Sequence, residues 1–183
     1  MDSKLIDLFR EKVNDNGADF VLHRYRNING KNQWSIICSA MDWISVVPKE
    51  TLDLLSYRST LGQSLKQISL SATPINLILD DIARYRAGYI DTLVQENLIG
   101  SRFKSDDSIM RKYEKTLANH GGFKQCFNDV LGFRLRFDKY PNDFPDYFRV
   151  VDLRNGKQVD NGYRAIHLYY QRDSLAYPIE VQL

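Results

Sequence analysis

Apolar residues in the first half of the chain recur every three or four positions, which places them on one face of a helix. This spacing predicts helices around residues 5–13, over 34–44 and over 52–68, and a fourth that starts at Pro74 and continues to residue 94. The stripe over 34–44 is interpreted as a core helix in preference to a partner groove. The polar stretch 20–34 contains Asn-Gly and predicts a loop or a small hairpin.

From residue 98 the pattern changes to short stretches in which apolar and polar residues alternate, as is typical of strands. Strands are predicted over 98–103, 132–137, 147–153, 163–170 and 177–183. Ser105 and two acidic residues after it predict a helix start, and Gly121-Gly122 predicts the end of that helix. Helices first and mostly strands afterwards indicate the α+β class with a mixed or antiparallel sheet.

Composition indicates an ordinary soluble protein and excludes a polybasic nucleic-acid binder, because 183 residues with 26% charged residues give a net charge of only +2. We expect no membrane segment, since no apolar run is long enough to cross a bilayer. The N-terminus does not resemble a secretory signal, and Cys38 and Cys126 show no metal-ligand spacing. Reduced cysteines and a cytoplasmic location are therefore expected.

A basic cluster surrounds the start of the helix predicted after Ser105. Arg102 and Lys104 lie two apart on a strand and share a face, while Ser108 and Lys112 lie four apart on the helix and do the same. The helix N-terminus adds unpaired backbone N–H groups, so this cluster is suited to a triphosphate. Acidic residues are interleaved, however, and taken alone the cluster is better explained as a solvated face.

Two acidic residues, Asp129 and Glu180, lie near predicted strand ends and are candidate ligands of Mg²⁺, which prefers carboxylates completed by substrate phosphates. Each taken alone is better explained as an exposed acid or an ion-pair partner. Glu180 interrupts an apolar terminal strand and shares its face with Gln182. Any half-exposed sheet has such a polar face, so this pattern supports a site only weakly.

Tyr163 follows a glycine at the start of a strand and shares a face with His167. An exposed tyrosine beside a glycine is suited to stacking on a nucleotide base, and the histidine would then contact phosphate or ribose. The alternative is a tyrosine packed at a strand start with a core histidine.

Four motifs occur in order along the second half of the chain. They read RFKSDDSIMRK at 102–112, DVLGFR at 129–134, NGYRAIH at 161–167 and EVQ at 180–182. This series resembles the synthetase domain of the RelA/SpoT family, and more narrowly the small alarmone synthetases and their toxin relatives. The resemblance covers residues 90–183 and none of 1–89. It implies a mixed-sheet, nucleotidyltransferase-like synthetase domain with helices on its faces, preceded by a helical N-terminal region over 1–89.

The resemblance also implies a reaction in which pyrophosphate moves from ATP to the ribose 3′-hydroxyl of GDP or GTP, giving (p)ppGpp and AMP. By that resemblance two arginines sandwich adenine, Arg102 and Arg134. The residues that hold the ATP phosphates lie in the first motif: Lys104, Ser105, Ser108 and Lys112.

On the acceptor side, the resemblance implies that Tyr163 stacks on guanine and that His167 lies close to the acceptor phosphates. The resemblance further implies that Asp129 and Glu180 bind Mg²⁺ and that Glu180 helps to deprotonate the 3′-hydroxyl, with support from Gln182. Transfer of this kind depends mostly on positioning and charge neutralisation, which agrees with the residue types present.

The sequence departs from the family pattern at two places. Many relatives have a lysine shortly before Asn-Gly-Tyr, whereas the nearest basic residues here are Lys157 and Arg154, so the identity of the acceptor stays open. Relatives also continue past Glu-x-Gln with an Arg-Thr pair and a packing helix. Its absence after Leu183 fits a shortened chain, a layer replaced by the N-terminal helices, or weak catalysis.

Two alternatives to a (p)ppGpp synthetase follow from these departures. A toxic relative would use an adenosine nucleotide or the 3′ end of tRNA as acceptor, and the modest charge argues mildly against tRNA. A non-catalytic nucleotide-binding or interaction module would have little reason to keep both acids. The helical N-terminal region would dimerise to form a homo-oligomer, cap the missing layer or bind an antitoxin, and nothing in its sequence decides.

Overall fold

The structure is a computed structural model that describes residues 20–26, 32–38, 49–96, 101–136, 140–156 and 161–183. Four helices lie in these ranges: α1 (Lys49–Leu55), α2 (Ile75–Glu96), α3 (Asp106–Ala118) and α4 (Phe123–Cys126). Seven strands accompany them: β1 (Phe20–Arg26), β2 (Asn32–Cys38), β3 (Ser101–Phe103), β4 (Leu131–Arg136), β5 (Phe148–Asp152), β6 (Ile166–Tyr170) and β7 (Ile179–Gln182).

Five of the strands form a mixed sheet in the order β3-β4-β7-β6-β5. Strands β4 and β7 are parallel, and the other three pairs are antiparallel. The hairpin β1–β2 extends the sheet, because the backbone of β2 pairs in parallel with the end of β4. The predicted α+β class with a mixed sheet is confirmed.

Side chains alternate between two faces of this sheet, as the pleat requires. One face is apolar and buried, with Leu131 and Phe133 on β4, Leu168 and Tyr170 on β6, and Ile179 and Val181 on β7. Helix α2 packs against this side, where the ring of Tyr85 meets the ring of Phe103 edge-on at 5.1 Å between centroids. The opposite face is polar, and most of the predicted site residues lie on it.

The hydrophobic core is continuous across residue 90, where the sequence analysis divides the chain. Fully buried residues before that position, such as Leu52, Leu65 and Ile78, belong to the same cluster as Phe133 and Val181. In the described part of the chain, residues 49–89 therefore share one core with the sheet.

Asp81 on α2 is a buried carboxylate that joins three parts of this core. It accepts hydrogen bonds from Tyr57 and Ser59, from the backbone and hydroxyl of Thr60, and from Tyr177 just before β7. Burial raises the pKa of this carboxyl, but the donors outweigh burial, and the pKa of Asp81 lies below its ordinary value.

Two helix predictions are wrong within the described residues. Residues 34–38 lie in β2, so the stripe that begins at Trp34 is not helical there. The helix predicted over 52–68 begins earlier and ends at Leu55, because the backbone beyond it bonds to a distant segment: Ser59 N donates to Leu175 O, and Tyr177 N donates to Tyr57 O. Tertiary hydrogen bonds override local propensity in this stretch.

Smaller differences concern boundaries. Helix α3 ends at Ala118, short of the predicted glycine pair, and β6 begins at Ile166, three residues later than predicted. The short helix α4 was not predicted. The hairpin interpretation of 20–34 agrees with β1 and β2, while the helix predicted around 5–13 and the remainder of 34–44 lie outside the described residues. No helix within the described ranges is both long and apolar enough to cross a membrane.

Candidate functional site

The polar face of the sheet carries a row of residues that are direct neighbours across its five strands. Strand register places Arg102 beside Gly132, Gly132 beside Glu180, Glu180 beside Tyr169, and Tyr169 beside Arg149. Because neighbouring strands lie about 5 Å apart, this row brings residues from five different strands to one line. Glu180 occupies its centre and is only 7% exposed.

Two donors hold one oxygen of the Glu180 carboxylate. Nδ1 of His167 lies 2.8 Å from Oε1, and the hydroxyl of Tyr169 donates to the same oxygen at 3.2 Å. A carboxylate only accepts, so Nδ1 of the ring carries the proton in this contact. The other oxygen, Oε2, faces the backbone of Gly132, where an added Cβ atom would stand 3.5 Å away. Glycine at this position leaves room beside the carboxylate.

Hydrogen bonds continue from His167 towards β4. Nε2 of His167 lies 3.0 Å from the hydroxyl of Tyr163, which also accepts a bond of 2.7 Å from Nε2 of Gln182. The amide oxygen of Gln182 in turn accepts bonds of 3.2 and 3.0 Å from Nε and Nη2 of Arg134. Five of the predicted site residues therefore form one continuous network. It runs from Arg134 to Glu180.

Asp129 lies in the turn before β4, between two ammonium groups. Lys104 donates to Oδ2 at 2.5 Å and Lys112 to Oδ1 at 2.7 Å, and Lys112 also reaches the amide oxygen of Asn128. Burial raises the pKa of the Asp129 carboxyl, but the charges of Lys112 and Lys104 outweigh it and the pKa lies below its ordinary value. Lys104, with a side chain only 14% exposed, is not part of a solvated face.

The phenol of Tyr169 links the surroundings of the two acids. Burial raises its pKa most, and the negative charges of Glu180 and, more weakly, Asp129 raise it further. Both carboxylates therefore act on the same phenol. This is the arrangement expected if the two carboxylates belong to one site.

The start of α3 is less open to a phosphate than the sequence suggests. Ser105 has an extended backbone as the residue before the helix, and its hydroxyl donates to Ser108 at 2.9 Å. Arg86 on α2 bonds to the carboxylate of Asp106 and to the carbonyl oxygen of Lys104. The carboxylate of Asp106 thus already compensates the positive end of this helix. Lys104 and Lys112, which bond to Asp129, are therefore better suited to bind a phosphate than the helix N-terminus is.

Of the remaining residues predicted on the acceptor side, Arg154 is not joined to this network. Arg154 bonds instead to Asp152 at the end of β5 and to Asn142 in the loop before that strand. Lys157 lies outside the described residues. The acceptor side of the site therefore consists, in the described ranges, of Tyr163, His167 and Gln182.

Sequence reasoning missed Tyr169 and Arg149. Tyr169 lies two residues after His167 on a strand, so its place on the same face was readable from the alternation. The place of Arg149 could not be predicted from the sequence, because its position beside Tyr169 follows from the pairing register of β5 with β6. Its guanidinium lies 4.6 Å from the centroid of the Tyr169 ring. Both residues belong to the row through Glu180.

The residues suited to Mg²⁺ are the carboxylates of Asp129 and Glu180. Among the described residues, no group of three or more histidine, cysteine or acidic side chains is arranged as a metal site. Two carboxylates nevertheless fit the chemistry of magnesium, which takes oxygen ligands and completes its shell with water and substrate phosphates. The fit requires the lysines to leave Asp129, which a phosphate would favour by offering them a stronger acceptor.

Comparisons of the chain with protein-family models and with curated proteins find no match. The functional interpretation therefore depends on the motifs and on the side-chain geometry of the polar face. That geometry brings together eight of the predicted site residues in two groups: the network of Arg134, Gln182, Tyr163, His167 and Glu180, and the ion-paired Asp129 with its lysines, Lys104 and Lys112.

Proposed function

We propose that this chain is a cytoplasmic pyrophosphokinase with a nucleotidyltransferase-like synthetase sheet, which transfers pyrophosphate from ATP to the ribose 3′-hydroxyl of GDP or GTP. The observation that carries the proposal is the continuous network from Arg134 to Glu180 on one face of the sheet. It unites residues from three of the four motifs. The remaining motif contributes Lys104 and Lys112, which are held beside the same face by Asp129.

The proposed donor site lies towards β3 and α3. Arg102 is exposed at the end of the row, and Arg134 lies on the same face of the neighbouring strand, so two planar cations are available to an adenine ring. The triphosphate would draw Lys104 and Lys112 away from Asp129, because a phosphate carries more charge than one carboxylate. Asp129 and Glu180 would then bind Mg²⁺, whose chemistry is to neutralise charge on the phosphates.

The proposed reaction is an in-line displacement at the β-phosphorus of ATP. The 3′-hydroxyl oxygen of the acceptor forms a bond to the β-phosphorus. The bond between the β-phosphorus and the oxygen that bridges it to the α-phosphate breaks, so AMP leaves. The hydroxyl proton passes to the carboxylate of Glu180. Oε2 is the oxygen suited to this role, since Oε1 already accepts two hydrogen bonds.

Tyr163 is the proposed platform for the acceptor base. Its hydroxyl is bonded to Gln182 and His167, which fixes the outer end of the side chain before any base arrives. A ring fixed in this way loses little conformational entropy when a base stacks on it. The same network links the platform to the carboxylate that takes the proton, so acceptor binding and deprotonation share one set of contacts.

One observation favours a second acceptor, the 3′ end of tRNA. Burial lowers the pKa of the Lys124 ammonium group, and the positive charges of Lys66 and Arg149 lower it further, so three cations lie close together beyond Tyr169. A basic cluster of this kind would favour the phosphates of a polynucleotide. This candidate shares the donor, the base and the reaction with the first and differs only in the acceptor.

An acceptor panel tests the proposal. The protein is incubated with Mg²⁺ and with ATP labelled on the γ-phosphate, and GDP, GTP, ADP or deacylated tRNA is added. We expect label on GDP or GTP with one AMP formed per transfer. Label on tRNA alone, with transfer that falls steeply as salt rises, would establish the second candidate. Label on no acceptor would refute transfer altogether and leave a nucleotide-binding module.

A further inference from the structure

We propose that Tyr169 is a positioning residue that fixes the carboxylate of Glu180 and directs its second oxygen towards the substrates. The expected effect on catalysis rests on the proposed function, whereas the expected effect on the orientation of Glu180 rests only on the geometry of the row. Neither the motifs nor the resemblance points to this tyrosine. Its role follows from its place opposite Glu180 in the register of β6 and β7.

The geometry at Glu180 is asymmetric between its two oxygens. Oε1 accepts from both Nδ1 of His167 and the hydroxyl of Tyr169, at 2.8 and 3.2 Å. Among the described residues, nothing donates a hydrogen bond to Oε2, which faces the space above Gly132. Two donors on one oxygen prevent the carboxylate from rotating, because rotation would break both bonds at once. The oxygen without a donor is thereby presented to the open side.

Tyr169 is itself held in place by aromatic and cationic neighbours. The guanidinium of Arg149 lies over its ring at 4.6 Å, and the ring of His167 is nearly parallel to it, with centroids 6.2 Å apart and planes 8° from parallel. A guanidinium over an aromatic face is a favourable contact. The phenol that orients Glu180 is therefore oriented by contacts that do not involve Glu180.

Tyr170 provides a matched control on the same strand. It points to the opposite, apolar face, where its hydroxyl donates to Asp53 and its ring is buried. Tyr169→Phe and Tyr170→Phe each remove one hydroxyl that donates to a carboxylate. Only the first of these carboxylates belongs to the proposed site, so the pair separates positioning from the general loss of a hydrogen bond.

The test combines kinetics with structure. For Tyr169→Phe we expect kcat for pyrophosphate transfer to fall about 10- to 100-fold, while KM for ATP and for the acceptor stays within about twofold, because substrate contacts are unchanged. Tyr170→Phe should keep the wild-type kcat. Crystal structures of the wild type and of Tyr170→Phe should show the Glu180 side chain in one orientation. In Tyr169→Phe the same side chain should occupy more than one orientation.

The outcomes separate this inference from the proposed function. Wild-type protein that transfers pyrophosphate, together with an unchanged kcat in Tyr169→Phe, would overturn the inference alone. An inactive wild type would overturn the proposed function, and the crystal structures would then decide the inference. The inference would be overturned if the Glu180 side chain kept one orientation in Tyr169→Phe. It would be supported if Glu180 took several orientations in Tyr169→Phe but only one in the wild type and in Tyr170→Phe.

Discussion

Gly132 is the residue whose lack of a side chain matters most to the proposed site. It lies beside Glu180 on the parallel strand, and an added Cβ atom would stand 3.4 Å from the Glu180 carbonyl oxygen and 3.5 Å from Oε2. These are ordinary contact distances, so the backbone does not require glycine here. The space that glycine leaves is instead the space through which Oε2 faces the open side of the sheet.

Gly132→Ala should therefore separate activity from stability. We expect the free energy of unfolding in urea to change by no more than about 1 kcal/mol, since alanine fits and is easier to order in a strand than glycine. Pyrophosphate transfer should fall about tenfold or more, because the methyl group occupies the space beside Oε2. Full activity in this variant would show that the space beside Oε2 is not needed.

At the residue scale, the sequence predicts types of chemistry better than contacts. The alternation from Tyr163 to His167 predicts one shared face, and the hydroxyl of Tyr163 does meet His167, although Tyr163 lies before the strand. The ion pairs of Asp129 with two lysines were not predicted. They depend on how α3 lies against the turn before β4, and that placement is set by packing of residues distant in sequence.

Helix α2 is anchored through Asp81, which receives donors from the segment 57–60 and from Tyr177. Asp81→Asn should lower the free energy of unfolding by about 1–3 kcal/mol at neutral pH, because an amide leaves some of these buried donors without an acceptor. Asp80→Asn, on the exposed side of the same helix, is the matched control and should change stability little. Urea unfolding of both variants measures the difference.

The contribution of Asp81 should also depend on pH. Its pKa is lowered from 3.8 on folding, so the stabilisation is fully present above that value and is lost as the pH falls through the lowered pKa. The difference between wild type and Asp81→Asn should thus stay constant between neutral pH and about pH 5 and shrink at lower pH. A difference that grows on acidification would contradict this assignment.

At the element scale, prediction succeeds where a periodic pattern is long and local. Helix α2 and strand β4 were predicted within a few residues, since each has a sustained apolar pattern. The segment after α1 was predicted as a helix and is not one. Its backbone bonds to residues 174–177, more than a hundred positions away, and no local pattern encodes that pairing.

The described residues between positions 49 and 183 share one hydrophobic core. Leu52, Leu65 and Ile82 are as deeply buried as the apolar side chains of β4 and β7, and they belong to the same cluster. We therefore expect a fragment of residues 90–183 to lack a cooperative unfolding transition, whereas residues 49–183 should retain one. Circular dichroism during urea unfolding tests both, and cooperative unfolding of the shorter fragment would contradict the shared core.

At the scale of the whole molecule, the proposed function assigns pyrophosphate transfer to the polar sheet face centred on Glu180. Its most direct test is AMP formation and acceptor labelling by Glu180→Gln, with ATP binding measured in parallel and with Glu114→Gln, exposed on α3, as the control. The account predicts at least about a 100-fold loss of transfer in Glu180→Gln, with ATP binding retained, because glutamine cannot accept the proton. Glu114→Gln should behave as the wild type. Transfer at the wild-type rate in Glu180→Gln would contradict the account.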